Sequence, residues 1–210
     1  MNKTLDRFLC QKYPHLYRYE SPQQTLMGWG FACGDGWYGL IDTVSALLTG
    51  HVPDTRAVQV KEKLGGLRFY HAPSNDYSRG VVAMAETMSF ATCELCGAPA
   101  ATYEANHWLA TRCRAHVERH NLGGSKHEPA VSSVYGLGLG WSRLVMLLEE
   151  SVAWDIEKNG MPKATLTIAI KNSRLSIVPA GGDAKTVGMV DFINQYAARI
   201  DERTGWPLSC

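Results

Sequence analysis

The sequence predicts an α+β fold in which a helix–β-hairpin–helix unit is duplicated and forms an antiparallel sheet with helices packed on one face. Two observations predict it. The order helix, hairpin, helix occurs in residues 36–91 and again in residues 140–210. At a constant offset of 108 residues, core positions of the two hairpins also coincide, since Val60 meets Ile168 and Phe69 meets Ile177. Self-similarity of this kind indicates an internal duplication.

The N-terminal unit, residues 1–91, begins with a short helix over residues 2–12. After an irregular segment, a longer helix is expected to start at Asp35, a typical N-cap residue, and to end at Gly50. Residues 56–72 alternate as a hairpin with Val58 in its core, and we place its turn at Gly65-Gly66. A further helix completes the unit.

The C-terminal unit, residues 140–210, repeats this order after a Gly/Ser-rich connector over residues 121–139. If the duplication is real, the two hairpins could join into one four-stranded antiparallel sheet. Residues 92–120, between the first unit and the connector, form a module of their own.

The charge, hydropathy and cysteine content of the sequence limit the classes of protein to which the chain can belong. The 210 residues carry a formal net charge of +1, which argues against wholesale coating of nucleic acid but permits a local basic patch. We expect no signal peptide and no membrane span, and therefore a cytoplasmic protein. In that compartment we expect the six cysteines to be metal ligands or free thiols rather than disulfides, and Cys10, Cys33 and Cys210 to be buried or spare thiols.

Four residues of the central module have metal-ligand spacing, C-x2-C, sixteen residues and C-x2-H: Cys93, Cys96, Cys113 and His116. Three thiolates and one imidazole suit tetrahedral Zn²⁺, and Gly97 suits a tight knuckle. The spacing predicts a zinc-knuckle or treble-clef-like insert, and four protein ligands predict a structural Zn²⁺. His120 and His107 remain alternatives for the fourth ligand.

Two other interpretations of this module stay open. Its histidines and asparagines are compatible with a metal-dependent nuclease, although no site for a hard cation can be placed beside them. Alternatively, the knuckle clamps nucleic acid, with Arg112, Arg114 and Arg119 contacting phosphates.

The first hairpin contains an unusual cationic face. Because side chains alternate along a strand, the residues opposite the core positions point outward together: Lys61, Lys63, Arg68 and Tyr70. Three clustered cations repel unless an anion lies among them, and Tyr70 could stack on a base or ribose. The alternative without a ligand is a solvent-exposed edge hairpin whose lysines prevent aggregation. We expect no cationic cluster in the second hairpin, which favours a ligand role for the first.

The string GDGW, then VKEKLGGLRFY, then CELCG and CRAH, over residues 33–116, resembles a group of functionally uncharacterised small proteins of phages and prophages. The resemblance implies no catalytic residues. It implies a non-enzymatic phage protein in the host cytoplasm that binds a host factor or a nucleotide signal.

We therefore expect a zinc-stabilised, non-enzymatic protein that sequesters a phosphorylated small molecule, such as a signalling nucleotide, and counters antiviral defence. The alternatives are a zinc protein that binds nucleic acid and an inhibitor that docks on a host protein. A homo-oligomer is possible, with the second hairpin as its surface.

Overall fold

The computed structural model describes residues 1–17, 25–105, 107–120, 125–127 and 131–208. Within these ranges the α-helices are α1 (Lys3–Lys12), α2 (Tyr38–His51), α3 (Asp76–Ser89), α4 (Arg114–His120), α5 (Leu139–Asn159) and α6 (Ala184–Ala197). The strands are β1 (Arg56–Lys63), β2 (Gly66–Ala72), β3 (Ala101–Ala105), β4 (Trp108–Arg112), β5 (Ser125–His127), β6 (Ala164–Lys171) and β7 (Arg174–Gly181).

The strands form small antiparallel sheets, β1 with β2, β6 with β7, and a third sheet of order β4-β3-β5. The predicted α+β class is confirmed. The two long hairpins do not join into one sheet among the described residues. One reason is that a helix occupies an edge of each hairpin. The amide of Phe69 donates to Glu86 Oε1 at 3.1 Å, and that of Ile177 donates to Asn194 Oδ1 at 2.8 Å.

The turn of the first hairpin is Leu64-Gly65, so the predicted turn at Gly65-Gly66 is wrong. Lys63 pairs with Gly66, and both turn residues have positive φ, 53° and 78°. Positive φ at both positions is typical of a two-residue hairpin turn whose twist matches that of the strands. Gly66 is a strand residue instead, and a Cβ there would collide with the ring of Phe90.

Two further expectations in the first unit are corrected. A bulge between Ala57 and Gln59 buries Ala57 and leaves Val58, the expected core residue, half-buried. Asp35 does not cap α2, which begins three residues later without a side-chain cap. Its carboxylate instead accepts hydrogen bonds from the backbone and side-chain amides of Asn2, both at 2.7 Å.

Helices α3 and α6 begin in the same way and cross at glycines. Asn75 and Asp183, 108 residues apart, each form a capping box with the residue three positions later. At the crossing, a Cβ on Gly80 would collide with the backbone of α6, and one on Gly188 with the backbone of α3. The missing side chains let the two helices approach closely in a reciprocal contact.

The main core lies between the helices and the inner faces of both long hairpins. Its fully buried members come from both units and include Trp37, Leu40, Phe69, Met84, Leu144 and Phe192. The matching capping boxes, the reciprocal glycine contact and the shared core support the predicted duplication. The duplication and the domain boundaries stay predictions.

The predicted connector, residues 121–139, contains structure of its own. Strand β5 pairs with β3, and Leu139 already belongs to α5. Among the described residues, no helix combines the length and the hydropathy needed to cross a membrane.

Candidate metal centre

The first two cysteines lie on a tight turn that directly follows α3. The amide of Gly97 donates to the carbonyl of Cys93 at 2.8 Å, and the amide of Cys93 donates to that of Ala98 at 2.8 Å. Gly97 has φ 77°, a conformation that glycine adopts without strain. The predicted knuckle therefore forms, and it directs both thiols to one side.

The other two side chains lie at the start of α4. Cys113 immediately precedes the helix, and its carbonyl accepts from the amides of His116 and Val117, both at 3.0 Å. The strands β3 and β4 bring this helix back against the knuckle. The module thus has the order knuckle, hairpin, helix, as expected for a treble-clef-like insert.

The structure brings together all four predicted ligands, whose ligand atoms lie within 4.8 Å of one another. Cys96 Sγ lies 3.7 Å from Cys113 Sγ. His116 Nδ1 lies 3.4 Å from Cys93 Sγ and 3.3 Å from Cys113 Sγ. Tetrahedral Zn²⁺ with bonds of about 2.3 Å to sulfur and about 2.0 Å to nitrogen separates its ligand atoms by about 3.5–3.8 Å. The cluster could therefore hold one metal ion.

The thiols differ in their electrostatic surroundings. Burial raises the pKa of Cys96 to about 12, which disfavours its thiolate when no cation is near. Burial also acts against ionisation of Cys113, but hydrogen bonds from the backbone of His116 and from the thiol of Cys96 outweigh it and lower the pKa. A divalent cation would stabilise all three thiolates.

The module has almost no apolar core without a metal. Among its described residues, the buried cluster consists of Cys93, Ala98, Ala100 and Cys113. Alanine and cysteine side chains bury little apolar surface, so this cluster contributes little free energy to offset the entropy of ordering the chain. The chemistry of the donor set and the small core both fit a structural metal.

Glu94 and Arg112 support the knuckle from outside the ligand set. Glu94 Oε2 pairs with Arg112 at 2.8 Å, while its Oε1 accepts from the amide of Gly34 at 3.0 Å. Both side chains of the ion pair are largely buried. Sequence reasoning missed Glu94 because its partners lie 18 and 60 residues away.

The module over residues 92–120 also packs against the turn of the first hairpin. Thr111 Oγ1 donates to the carbonyl of Gly65 at 2.6 Å and is itself fully buried. A Cβ on Gly65 would contact Leu109 and Thr102, so β3 and β4 pack directly against the hairpin turn. The position of this turn therefore depends on the module that carries the ligands.

His107 and His120 are the alternatives to His116 as the fourth ligand. His107 is an exposed residue of the β3–β4 turn and is not part of the cluster. The side chain of His120 lies outside the described part of the structure, as does Cys210. His116 completes the cluster without either of them.

The three arginines of the proposed nucleic-acid clamp have unequal surroundings. Arg112 is bound to Glu94, and the exposed Arg114 pairs with Glu118 at 2.8 Å. Arg119 is exposed. Two of the three cations thus already contact carboxylates, which counts against a phosphate clamp.

Residues 200–207 repeat the backbone of the knuckle without its thiols. The amide of Gly205 donates to the carbonyl of Asp201 at 2.8 Å, as Gly97 does to Cys93. Asp201 and Thr204 occupy the positions of Cys93 and Cys96. Asp201 Oδ1 accepts from the amide and the hydroxyl of Thr204, both at 2.8 Å.

This second turn was missed although its signal is in the sequence. The offset of 108 that aligns the hairpins also aligns Glu94 with Glu202, Gly97 with Gly205 and Pro99 with Pro207. In the second turn, hydrogen bonds to the Asp201 carboxylate lie where the first turn has the thiols of Cys93 and Cys96.

The residues of the cationic face lie on the same side of the first hairpin. Lys61 is paired with Arg68 across the strands, and Lys63 with Gly66. Lys61 Nζ lies 5.7 Å from the ring centroid of Tyr70, and the guanidinium of Arg68 lies 5.7 Å from that of Phe90. The structure thus brings the four predicted residues onto one surface.

No described carboxylate forms an ion pair with these cations. Glu62 Oε1 accepts from the amide of Gly65 at 2.7 Å. Glu86 interacts with Arg68 only through charge. Burial raises the pKa of Glu86, and the amide of Phe69 and the charge of Arg68 reduce that effect.

The second hairpin is less different from the first than we expected. At its tip, Lys171 pairs with Arg174 across the strands, and both are exposed, so the expected absence of clustered cations is wrong. Farther along, Ala169 and Ser176 occupy the positions of Lys61 and Arg68. The contrast between the hairpins therefore concerns Lys61, Arg68 and Tyr70.

Comparisons of the chain with protein-family models, with curated proteins and with solved structures found no match.

Proposed function

We propose that the protein is a non-enzymatic binding protein whose Cys93, Cys96, Cys113 and His116 hold one structural Zn²⁺. The observation that carries this proposal is the proximity of the ligand atoms, which all lie within 4.8 Å of one another and are 3.3–3.7 Å apart in three of the pairs. Four protein ligands complete a tetrahedron, which leaves no position for substrate. The small core of the module supports a structural role.

The ligand in this proposal is a phosphorylated small molecule, such as a nucleotide, bound by Lys61, Lys63, Arg68 and Tyr70. Support comes from the shared face of the four side chains and from the lack of described carboxylates paired with the cations. Lysine and arginine donate to phosphate oxygens, and the half-exposed ring of Tyr70 offers a stacking surface. A signalling nucleotide sequestered from host defence stays a prediction from the resemblance.

The test is a binding measurement on the zinc-loaded protein with a matched control hairpin. Small molecules released by denaturing the purified protein are identified by mass spectrometry, and their affinity is measured by titration calorimetry. Lys61→Ala with Arg68→Ala is expected to weaken binding by about 100-fold, because two charge-assisted contacts of about 1.5 kcal/mol each are lost. Lys171→Ala with Arg174→Ala removes two exposed cations from the second hairpin and is expected to leave affinity unchanged.

Equal affinity of the wild type and the Lys61/Arg68 variant would refute the proposed site. Affinity for single-stranded nucleic acid that falls steeply with salt would favour the nucleic-acid alternative.

A further inference from the structure

The outer edge of β6 presents backbone groups to solvent. Ile177 of β7 is bound on both its amide and its carbonyl by the side chain of Asn194, at 2.8 and 2.9 Å, so these groups point away from β6. Ile168 is the direct partner of Ile177. In an antiparallel pair both residues of such a position point their backbone groups outward. The amide and carbonyl of Ile168 therefore face away from β7, as do those of Leu166 and Ile170.

The equivalent edge of the first hairpin is bridged by one residue from outside the hairpin. The amide of Ala32 donates to the carbonyl of Val60 at 3.0 Å, and the amide of Glu62 donates to the carbonyl of Ala32 at 2.8 Å. Val60 and Glu62 are the counterparts of Ile168 and Ile170. No described residue outside β7 pairs with β6. The first hairpin thus binds a residue from outside the hairpin at this edge, and among the described residues the same edge of the second hairpin has no such partner.

Strand β6 also lacks the other features that protect an edge strand. Strand β1 has a bulge and carries Lys61 and Lys63, whereas β6 pairs without a break and carries only Lys171, at its end. Residues 164–170 are uncharged and rich in β-branched side chains, and Ile170 is 49% exposed. A long, regular and uncharged edge is a template for pairing with another strand.

We propose that β6 is a dimer interface, at which two copies of this chain pair β6 with β6 in antiparallel orientation about a twofold axis at Ile168. Leu166 of each copy then lies opposite Ile170 of the other, and their outward amides and carbonyls bond in pairs. The β6–β7 hairpins of the two copies then form one four-stranded sheet.

A second copy suits this edge better than a foreign segment does. In the proposed register Lys171 lies opposite Thr165 of the second copy, so no cations face each other. Residues 164–170 offer no charge pattern that would select a different partner. The twofold arrangement also satisfies the same backbone groups in both copies.

The test compares two substitutions of Ile170 in the zinc-loaded full chain. Ile170→Pro removes an amide that β7 does not use, whereas Ile170→Ala shortens the same side chain and keeps the amide. Sedimentation equilibrium is expected to show dimers of the wild type and of Ile170→Ala. Ile170→Pro is expected to raise the dimer dissociation constant by about 10- to 100-fold, because each dimer loses two hydrogen bonds. Circular dichroism checks that the variants are folded.

Hydrogen exchange of the wild type gives a second measurement that needs no variant. The amides of Leu166, Ile168 and Ile170 are expected to become more protected as the protein concentration rises. A wild type that stays monomeric with rapidly exchanging amides at these positions overturns the proposal, whether or not the binding face takes its ligand. A folded Ile170→Pro variant that dimerises like the wild type also overturns it.

Discussion

At the scale of single residues, Asp42 is the most thoroughly buried charge among the described ion pairs, with 1% of its side chain exposed. Its carboxylate binds Lys12 at 2.8 Å and Tyr13 Oη at 2.7 Å, and it pairs with Arg199. The partners come from α1 and from the end of the chain after α6. One carboxylate on α2 thus connects three parts of the molecule.

Asp42→Asn is expected to lower the free energy of unfolding by about 3 kcal/mol near neutral pH, because Lys12 and Arg199 lose their shared counter-charge. Chemical denaturation measures this change. The matched control is Asp76→Asn, which breaks an exposed pair with Arg79 and should cost less than about 1 kcal/mol. Equal effects of the two substitutions would contradict the role given to Asp42.

The cost of Asp42→Asn should also depend on pH. Burial alone would raise the pKa of Asp42, but hydrogen bonds from Lys12 and Tyr13 and the charge of Arg199 outweigh it and lower the pKa. A carboxyl with a lowered pKa in the folded state stabilises above its unfolded value of about 3.9 and loses this contribution as pH falls through the folded value. The gap between wild type and variant should therefore be full near pH 6 and shrink below about pH 4.

At the scale of elements, the contact between α3 and α6 depends on glycine at the crossing. A Cβ on Gly80 would meet the backbone of Lys185, which cannot move aside as a flexible side chain would. The same holds for Gly188 against Tyr77. Both helices carry polar caps and buried apolar faces, so the crossing sets how deeply those faces enter the core.

Gly80→Ala is expected to lower the free energy of unfolding by about 2 kcal/mol, because the helices must separate to admit a methyl group. Gly50→Ala in α2 is the matched control, since no atom lies near its Cβ. There the higher helix propensity of alanine should stabilise the protein by up to about 1 kcal/mol. Thermal denaturation of both variants measures the difference, and a stabilising Gly80→Ala would show that the crossing has room.

The helices and long hairpins of the two units and the four metal ligands could be predicted because their signals are local. Apolar periodicity gives the helices and strands, and two short Cys/His spacings give the ligands. Details set by distant contacts could not be predicted. Asp35 is held by Asn2, from the start of α1, and the hairpin turn lies at Leu64 because Gly66 must admit Phe90. The exposed edge of β6 could likewise be recognised only by comparing it with the edge of β1, which bridges to Ala32.

At the scale of the whole molecule, the module that carries the candidate metal centre contacts two other parts of the chain. Glu94 links the knuckle to Gly34, and Thr111 links β4 to the hairpin turn below the cationic face. The second unit has a turn of the same shape closed by Asp201 and Thr204. We therefore expect the stability of the module over residues 92–120 to depend on metal, and that of the turn over residues 200–207 not to.

X-ray absorption at the zinc edge, on protein purified without added metal, tests whether Cys93, Cys96, Cys113 and His116 hold a structural Zn²⁺. We expect about one Zn²⁺ per chain with three sulfur ligands at about 2.3 Å and one nitrogen at about 2.0 Å. Cys33→Ser removes a buried thiol outside the cluster and should leave the spectrum unchanged. Absence of bound zinc, or a first shell that contains a water oxygen in place of one of these ligands, would contradict a closed structural site.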